Sequence, residues 1–166
     1  MSTADKTVQF ITFRTYGTWL RGDERGWHRK GALYGDPLET PRPALEAYDK
    51  GRMRFKSYRL CKDAGDVVIS SLHRLCSRRG WKLLAVSVTE THIHMLVEAS
   101  GTPRGTLGDA KRCATRGLRE AGHIDSERRA WSRGGSAVTL LQSSEVERVR
   151  AYILEEQGTP LSVFAA

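Results

Sequence analysis

Three patterns in the 166-residue sequence predict an α+β fold: a ferredoxin-like split βαβ antiparallel sheet, with helices on one face and an added C-terminal helix. Strand-like and helix-like periodicities alternate in the order strand, helix, strand, strand, helix, strand, helix. The two central strand runs are separated by Glu90-Thr91 alone, which leaves room only for a hairpin. Glycines at 80 and 122 stand where the two long helical stripes should stop.

The first strand is expected at about residues 7–15, where Val8-Gln9-Phe10-Ile11-Thr12-Phe13 is rich in β-branched and aromatic residues before Gly17 breaks the run. Residues 21–62 carry Pro37, Pro41, Pro43 and many charges with little periodicity, and read as an insertion holding one short helix. Val68, Ile69, Leu72, Leu75 and Cys76 follow the i, i+3, i+4, i+7 spacing of a helical face over 66–79. Leu84, Val86 and Val88 then alternate with Ala85, Ser87 and Thr89, and His92–Val97 forms the return strand. A second helix follows from Thr106 or Asp109 to Ala121, with Leu107, Ala110, Ala114 and Leu118 on one face. Ala137–Leu141 reads as a short strand. Ser144-Glu145-Val146-Glu147 has capping-box spacing, and Val146, Val149 and Ile153 continue a last helical stripe to Gly158. The chain is expected to form one domain over 1–166.

The 27 Lys and Arg against 19 Asp and Glu leave a net charge of +8, which points to a polyanionic partner. The basic residues gather in Lys50–Lys62, Arg74–Lys82 and Arg104–Arg119, with Arg133 beyond. Candidate nucleic-acid contacts are Arg14, Arg54, Arg78, Arg79, Lys111, Arg112 and Arg133. Tyr16, Trp19 and Trp27 fit either of two roles, stacking on unpaired bases or anchoring core and loops. Cys61, Cys76 and Cys113 form no CxxC pair and are expected to be reduced thiols. No apolar run approaches the ~20 residues that cross a bilayer, and Met1–Gln9 has no apolar leader segment, so a cytoplasmic location is expected.

The sharpest local feature is Thr91-His92-Ile93-His94-Met95-Leu96-Val97. On a strand, residues i and i+2 point the same way, so His92 and His94 project together while Ile93, Met95 and Val97 face the other side. Two adjacent imidazoles suit a metal site with open positions. The same spacing also fits a satisfied or merely surface-exposed pair. Tyr152 and Glu156 stand at i and i+4 of the last helix and so share a face, presenting a phenol beside an oxygen ligand. A helical Tyr flanking the core with its hydroxyl wet is the other reading. Of the remaining histidines, His28 and His123 lack a partner at ligand spacing, and His73 among Leu72 and Leu75 is expected to be structural.

Together these segments resemble the HUH single-tyrosine transposases of the IS200-like family, in particular the REP-associated tyrosine transposases. The resemblance rests on His92-Ile93-His94, on Tyr152 in a late helix, on Phe10–Leu20 with Gly26-Trp27-His28, and on Trp131–Ser136. It spans Val8 to Gly158. It implies that Tyr152 attacks a phosphodiester of single-stranded, hairpin-containing DNA, leaving a 5′-phosphotyrosine and a free 3′-hydroxyl. It also implies a Mg²⁺ or Mn²⁺ cofactor on His92, His94 and an oxygen ligand one turn after the tyrosine. The family often has Gln or Asn at that position, and this sequence has Glu156, with Gln157 next. Helical register favours Glu156, and a carboxylate suits a hard divalent ion. The resemblance further implies a monomer or homodimer working on the nucleoid. A non-catalytic DNA- or RNA-hairpin binder, or a metal hydrolase that uses water as nucleophile, are the competing classes.

Overall fold

The computed structural model describes residues 5–33 and 35–166; Met1–Ala4, where the leader reading begins, and Tyr34 lie outside the described residues. The elements in order are β1 (Lys6–Arg14), α1 (Pro43–Gly51), α2 (Lys62–Arg79), β2 (Lys82–Val88), β3 (His92–Ser100), α3 (Pro103–Glu120), β4 (Ser136–Leu140), α4 (Ser143–Glu155) and β5 (Ser162–Ala165). They form an α+β fold whose one sheet has the order β4-β1-β3-β2-β5. Every pairing is antiparallel. Two split βαβ units interlock: β3 lies between β1 and β2, and β1 lies between β3 and β4.

One face of the sheet is dry. Ile11 and Phe13 of β1, Val86 and Val88 of β2, and Ile93, Met95 and Val97 of β3 pack against Val68, Leu72 and Leu75 of α2 and Leu107, Ala114 and Leu118 of α3. Trp131 closes this core edge-on against Phe13, ring centres 4.8 Å apart. The two helices approach closely at Gly117, where an added Cβ would lie 2.1 Å from Ser71 Oγ. That contact needs glycine. The opposite face carries a smaller cluster of Phe10, Ala85 and Leu96, covered by Val149 and Ile153 of α4. Alternation along β1 and β3 sends odd residues to the first face and even residues to the second.

Several boundaries depart from the sequence expectation for local reasons. Thr102 caps α3 by accepting from Gly105 N at 3.1 Å, with Pro103 at the first helical position, so that helix starts earlier than Thr106. A bulge between Leu83 and Ala85 breaks the alternation in β2. Leu83 therefore joins Val86 and Val88 in the dry core, and Leu84 packs on the α4 side. The capping box of α4 sits at Gln142 and Glu145, not at Ser144 and Glu147. The helix ends at Glu155, and the chain returns along β2 as β5, a strand too short to announce itself. Gly80 fulfils its expected role, ending α2 in the left-handed region at φ 66°. The three cysteines are free thiols. Among the described residues, no helix is long and apolar enough to cross a membrane.

Candidate active site

β3 lies at the centre of the sheet and presents His92 and His94 to the α4 face. Cross-strand register sets Thr12 opposite His94 and Arg14 opposite His92. Thr12 Oγ1 lies 2.9 Å from His94 Nδ1, which fixes that ring on the second face. His92 Nδ1 is held in the same way by Thr89 Oγ1 at 2.9 Å and Thr91 Oγ1 at 3.2 Å. Hydroxyls that hold Nδ1 leave each Nε2 to meet whatever enters the cleft. The two rings stand edge to face, 4.8 Å apart, and His94 stacks on Phe10 at 5.7 Å.

Both imidazoles are neutral at pH 7. Burial, then the neighbouring His92 and Arg14, push His94 down to about 3. Burial also lowers His92, opposed by its hydrogen bond to Gln157. Neutral imidazole is the form that ligates metal.

Tyr152 stands across the cleft on α4, 37% exposed. Its ring meets His94 edge-on at 5.5 Å and Phe10 at 6.4 Å. The phenol is thus brought beside the histidine pair.

The third side chain at the pair is Gln157. Its Oε1 lies 3.1 Å from His92 Nε2, and its amide nitrogen donates to the Tyr152 carbonyl at 3.3 Å. Glu156, the residue that helical register favoured, is not brought to the histidines: among the described residues no third His, Cys, Asp or Glu joins them in a group able to hold a metal. The reason is where the helix stops. Glu156 is the C-cap, φ −106° and ψ 8°, so the i+4 rule no longer applies, and the chain beyond it turns Gln157 inward.

The donor set fits a divalent cation. His92 Nε2 and Gln157 Oε1 stand 3.1 Å apart, a separation at which both could ligate one cation once the ring proton resides on Nδ1, beside the threonine hydroxyls. Two imidazoles and an amide supply nitrogen and oxygen donors without charge.

The candidate nucleic-acid residues are distributed, not gathered at Tyr152. Arg14 alone stands in register with a histidine. Its guanidinium lies over the Trp19 ring at 3.6 Å. Arg54 pairs loosely with Glu127, and Arg79 and Arg112 both pair with Asp109. Arg78 lines a groove between α2 and α3, on the far side of the sheet. Lys111 turns inward, donating to the carbonyls of Ser132, at 2.8 Å, and Gly134, and burial pushes it down to about 8. It braces the loop that exposes Arg133. Of the aromatics, Trp27 is buried with its indole N–H on the Thr40 carbonyl, and the Tyr16 hydroxyl accepts from Arg54 N. Trp19 has Arg14 over its ring and Arg25 at 4.6 Å. These rings anchor the 15–61 segment. His73 packs edge-on against Phe164, as a structural residue does.

The sequence reading did not single out Thr12, Thr89 or the pairing of Trp19 with Arg14 and Arg25 as parts of this site. Thr12 had a usable signal, since alternation puts it on the face away from Ile11 and Phe13. Only the β1–β3 register shows that His94 is what it meets.

A split βαβ sheet with a histidine pair on its central strand, and a tyrosine on a helix lying across that strand, defines the class of protein. The chain belongs to the IS200-like transposase family: the model of that family matches residues 53–156, which include both histidines and Tyr152. No curated protein sequence matches it. Among solved structures, it is similar to a REP-associated tyrosine transposase bound to a REP hairpin, at 10% identity and a TM-score of 0.49, over 92% of this chain and 68% of that one.

Proposed function

We propose that this protein cleaves and rejoins single-stranded DNA next to a hairpin, with Tyr152 as nucleophile, in the manner of REP-associated tyrosine transposases. The observation that carries the reading is the convergence of four side chains in one cleft: His92, His94 and Gln157 on one side and the exposed Tyr152 phenol on the other. Family membership supports it independently.

In the proposed reaction the Tyr152 oxygen bonds to phosphorus as the bond from phosphorus to the 3′ oxygen breaks. The phenol gives up its proton and the 3′ oxygen gains one. A 5′-phosphotyrosine and a 3′-hydroxyl result, and the reverse step with another 3′-hydroxyl rejoins the strand. His92, His94 and Gln157 would hold Mg²⁺ or Mn²⁺, which when bound neutralises charge on the non-bridging phosphate oxygens. Thr12 and Thr89 hold the imidazoles in place. Phe10 packs under both His94 and Tyr152 and keeps their spacing.

The test is to trap the covalent adduct. Incubation with a library of hairpin-bearing single-stranded oligonucleotides and Mn²⁺ should give a protein–DNA species that survives denaturing electrophoresis, and Tyr152→Phe should abolish it while leaving DNA binding intact. A hydrolase that uses water, or a non-catalytic binder, gives no adduct. An undiminished adduct in Tyr152→Phe refutes the assignment of the nucleophile.

A further inference from the structure

Arg14 is the unusual cation of this molecule. It sits on β1 directly opposite His92, so their Cβ atoms are roughly 5 Å apart on the same face. Its charge acts on both imidazoles and on Tyr152. The ion-paired arginines Arg21, Arg25, Arg29, Arg54, Arg59, Arg79 and Arg112 are exposed, whereas among the described residues the half-buried Arg14 has no salt bridge. It is instead positioned by stacking. Trp19 lies against its guanidinium at 3.6 Å, and Trp19 is in turn pinned by its indole N–H on the Gly26 carbonyl at 2.7 Å. Arg25 also lies over Trp19, fixed by Asp23 Oδ1 and Oδ2 at 2.7 and 2.6 Å and by the Thr18 carbonyl at 2.8 Å.

This construction holds a planar five-donor cation still while leaving its hydrogen-bonding edge without a carboxylate. Stacking does not use the in-plane N–H groups. The rest of the site also lacks negative charge, because its ligands are two neutral imidazoles and an amide. Asp23 acts on Arg14 only through space while binding Arg25, so a cleft with no carboxylate hydrogen-bonded to Arg14, none at the pair and a phenol alongside is short of an anion.

We propose that Arg14 is a catalytic phosphate ligand: its guanidinium hydrogen-bonds the non-bridging oxygens of the phosphodiester that Tyr152 attacks, with Trp19, Arg25 and Asp23 as the positioning stack behind it. This rests on the reading of the cleft as a DNA-cleaving centre. It deepens that reading by assigning the contact to a residue outside the segment matched by the family model. The guanidinium stays charged at neutral pH although burial, then Arg25, lowers it to about 10, a penalty that a bound phosphate would reverse.

The experiment has two arms. In the first, the full chain binds a 30-nucleotide single-stranded oligonucleotide in EDTA, by fluorescence anisotropy over a salt series. Loss of one phosphate contact to a single strand lowers the log–log salt slope by about 0.7. Arg14→Gln should show that loss and bind weaker at every salt concentration, and Arg14→Lys should keep the wild-type slope. In the second, adduct formation with Mn²⁺ should fall at least tenfold in Arg14→Lys, because an ammonium neither stacks on Trp19 nor offers two parallel donors. An unchanged slope in Arg14→Gln overturns the proposal, and so does a wild-type adduct rate in Arg14→Lys. If Arg14→Gln fails to fold, Arg14→Lys and its adduct rate still decide. Absence of any adduct in the wild-type protein refutes the cleavage reading and leaves the metal-free arm standing as a test of Arg14.

Discussion

The two faces of the sheet are built from the same strands, and they differ in what fills the alternate positions. Under α2 and α3 the side chains are Ile11, Phe13, Val86, Ile93, Met95 and Val97, all buried, and what they contribute is area removed from water. Under α4 the equivalent positions hold Thr12, Arg14, His92 and His94, with a small apolar patch of Phe10, Ala85, Leu96, Val149 and Ile153 beside them. One face can therefore carry stability while the other carries polar groups that a core would not tolerate. A strand alternating between the two needs no loop to place a ligand. His94 is only 6% exposed and is rigid because its neighbours on either side, Ile93 and Met95, are anchored in the opposite core.

The comparison breaks most visibly through the dry face. Phe13→Ala removes a fully buried ring and should lower stability by about 3–5 kcal/mol in urea titration. Adduct yield per folded molecule should stay near wild type. If yield falls with no loss of stability, the faces are not separate in function.

On the other face the largest change should come from Gln157. Gln157→Ala should weaken Mn²⁺ binding at least tenfold, about 1.4 kcal/mol, by calorimetry, and Glu156→Ala should leave it unchanged. The reverse pattern would mean that the helix continues past Glu155 on metal binding. Next comes Thr12→Val, which removes the hydroxyl that holds His94 Nδ1. A lost partner behind a metal-ligating histidine costs roughly tenfold in affinity at the low end of what is measured, so Mn²⁺ binding should weaken by about that factor. Folding stability should change by under about 1 kcal/mol.

In pH, each face sets one limit. His94 titrates at about 3 when folded against 6.5 unfolded, so between those values the unfolded chain binds more protons. In EDTA, stability should fall as pH drops from about 6.5 toward 3, and His94→Gln should flatten that slope. On the dry face, burial raises Cys76 from 9.0 to about 12, so the folded chain keeps a proton the unfolded chain loses. Stability should decline as pH rises from 9 toward 12, and Cys76→Ala should flatten that limb. Thermal melts across both ranges separate the two.

What was legible in the sequence divides along physical lines. Residue-to-residue alternation on β3 and the 3.6 periodicity of α2 and α3 are local, so the histidine pair and both long helices could be read directly. The fate of Glu156 and Gln157 depended on the end of a helix, and Gly158 alone did not say whether the last turn closed. Arg14 could be named as a nucleic-acid contact from its charge, yet its place beside His92 follows from register between strands about eighty residues apart. The stack of Trp19 on Arg14 and Arg25 comes from a long irregular segment with no periodicity to read. β5 has four residues and one partner strand, below what alternation can reveal.

The tyrosine helix is fastened at both ends to opposite margins of the sheet. Before it, β4 pairs with β1 from Thr12↔Ser136 to Val8↔Leu140; after it, β5 pairs with β2 from Ala85↔Ala165 to Val88↔Ser162. α4 is thus a strap buckled on two sides, and Tyr152 has little slack of its own. Lifting the helix off the histidines means unzipping one margin, and β5, with four register pairs against five, is the weaker buckle. On the proposed reaction, the reach of a DNA end carried on Tyr152 would therefore be set by backbone hydrogen bonds at the rim of the sheet, well away from the side chains that make the bond.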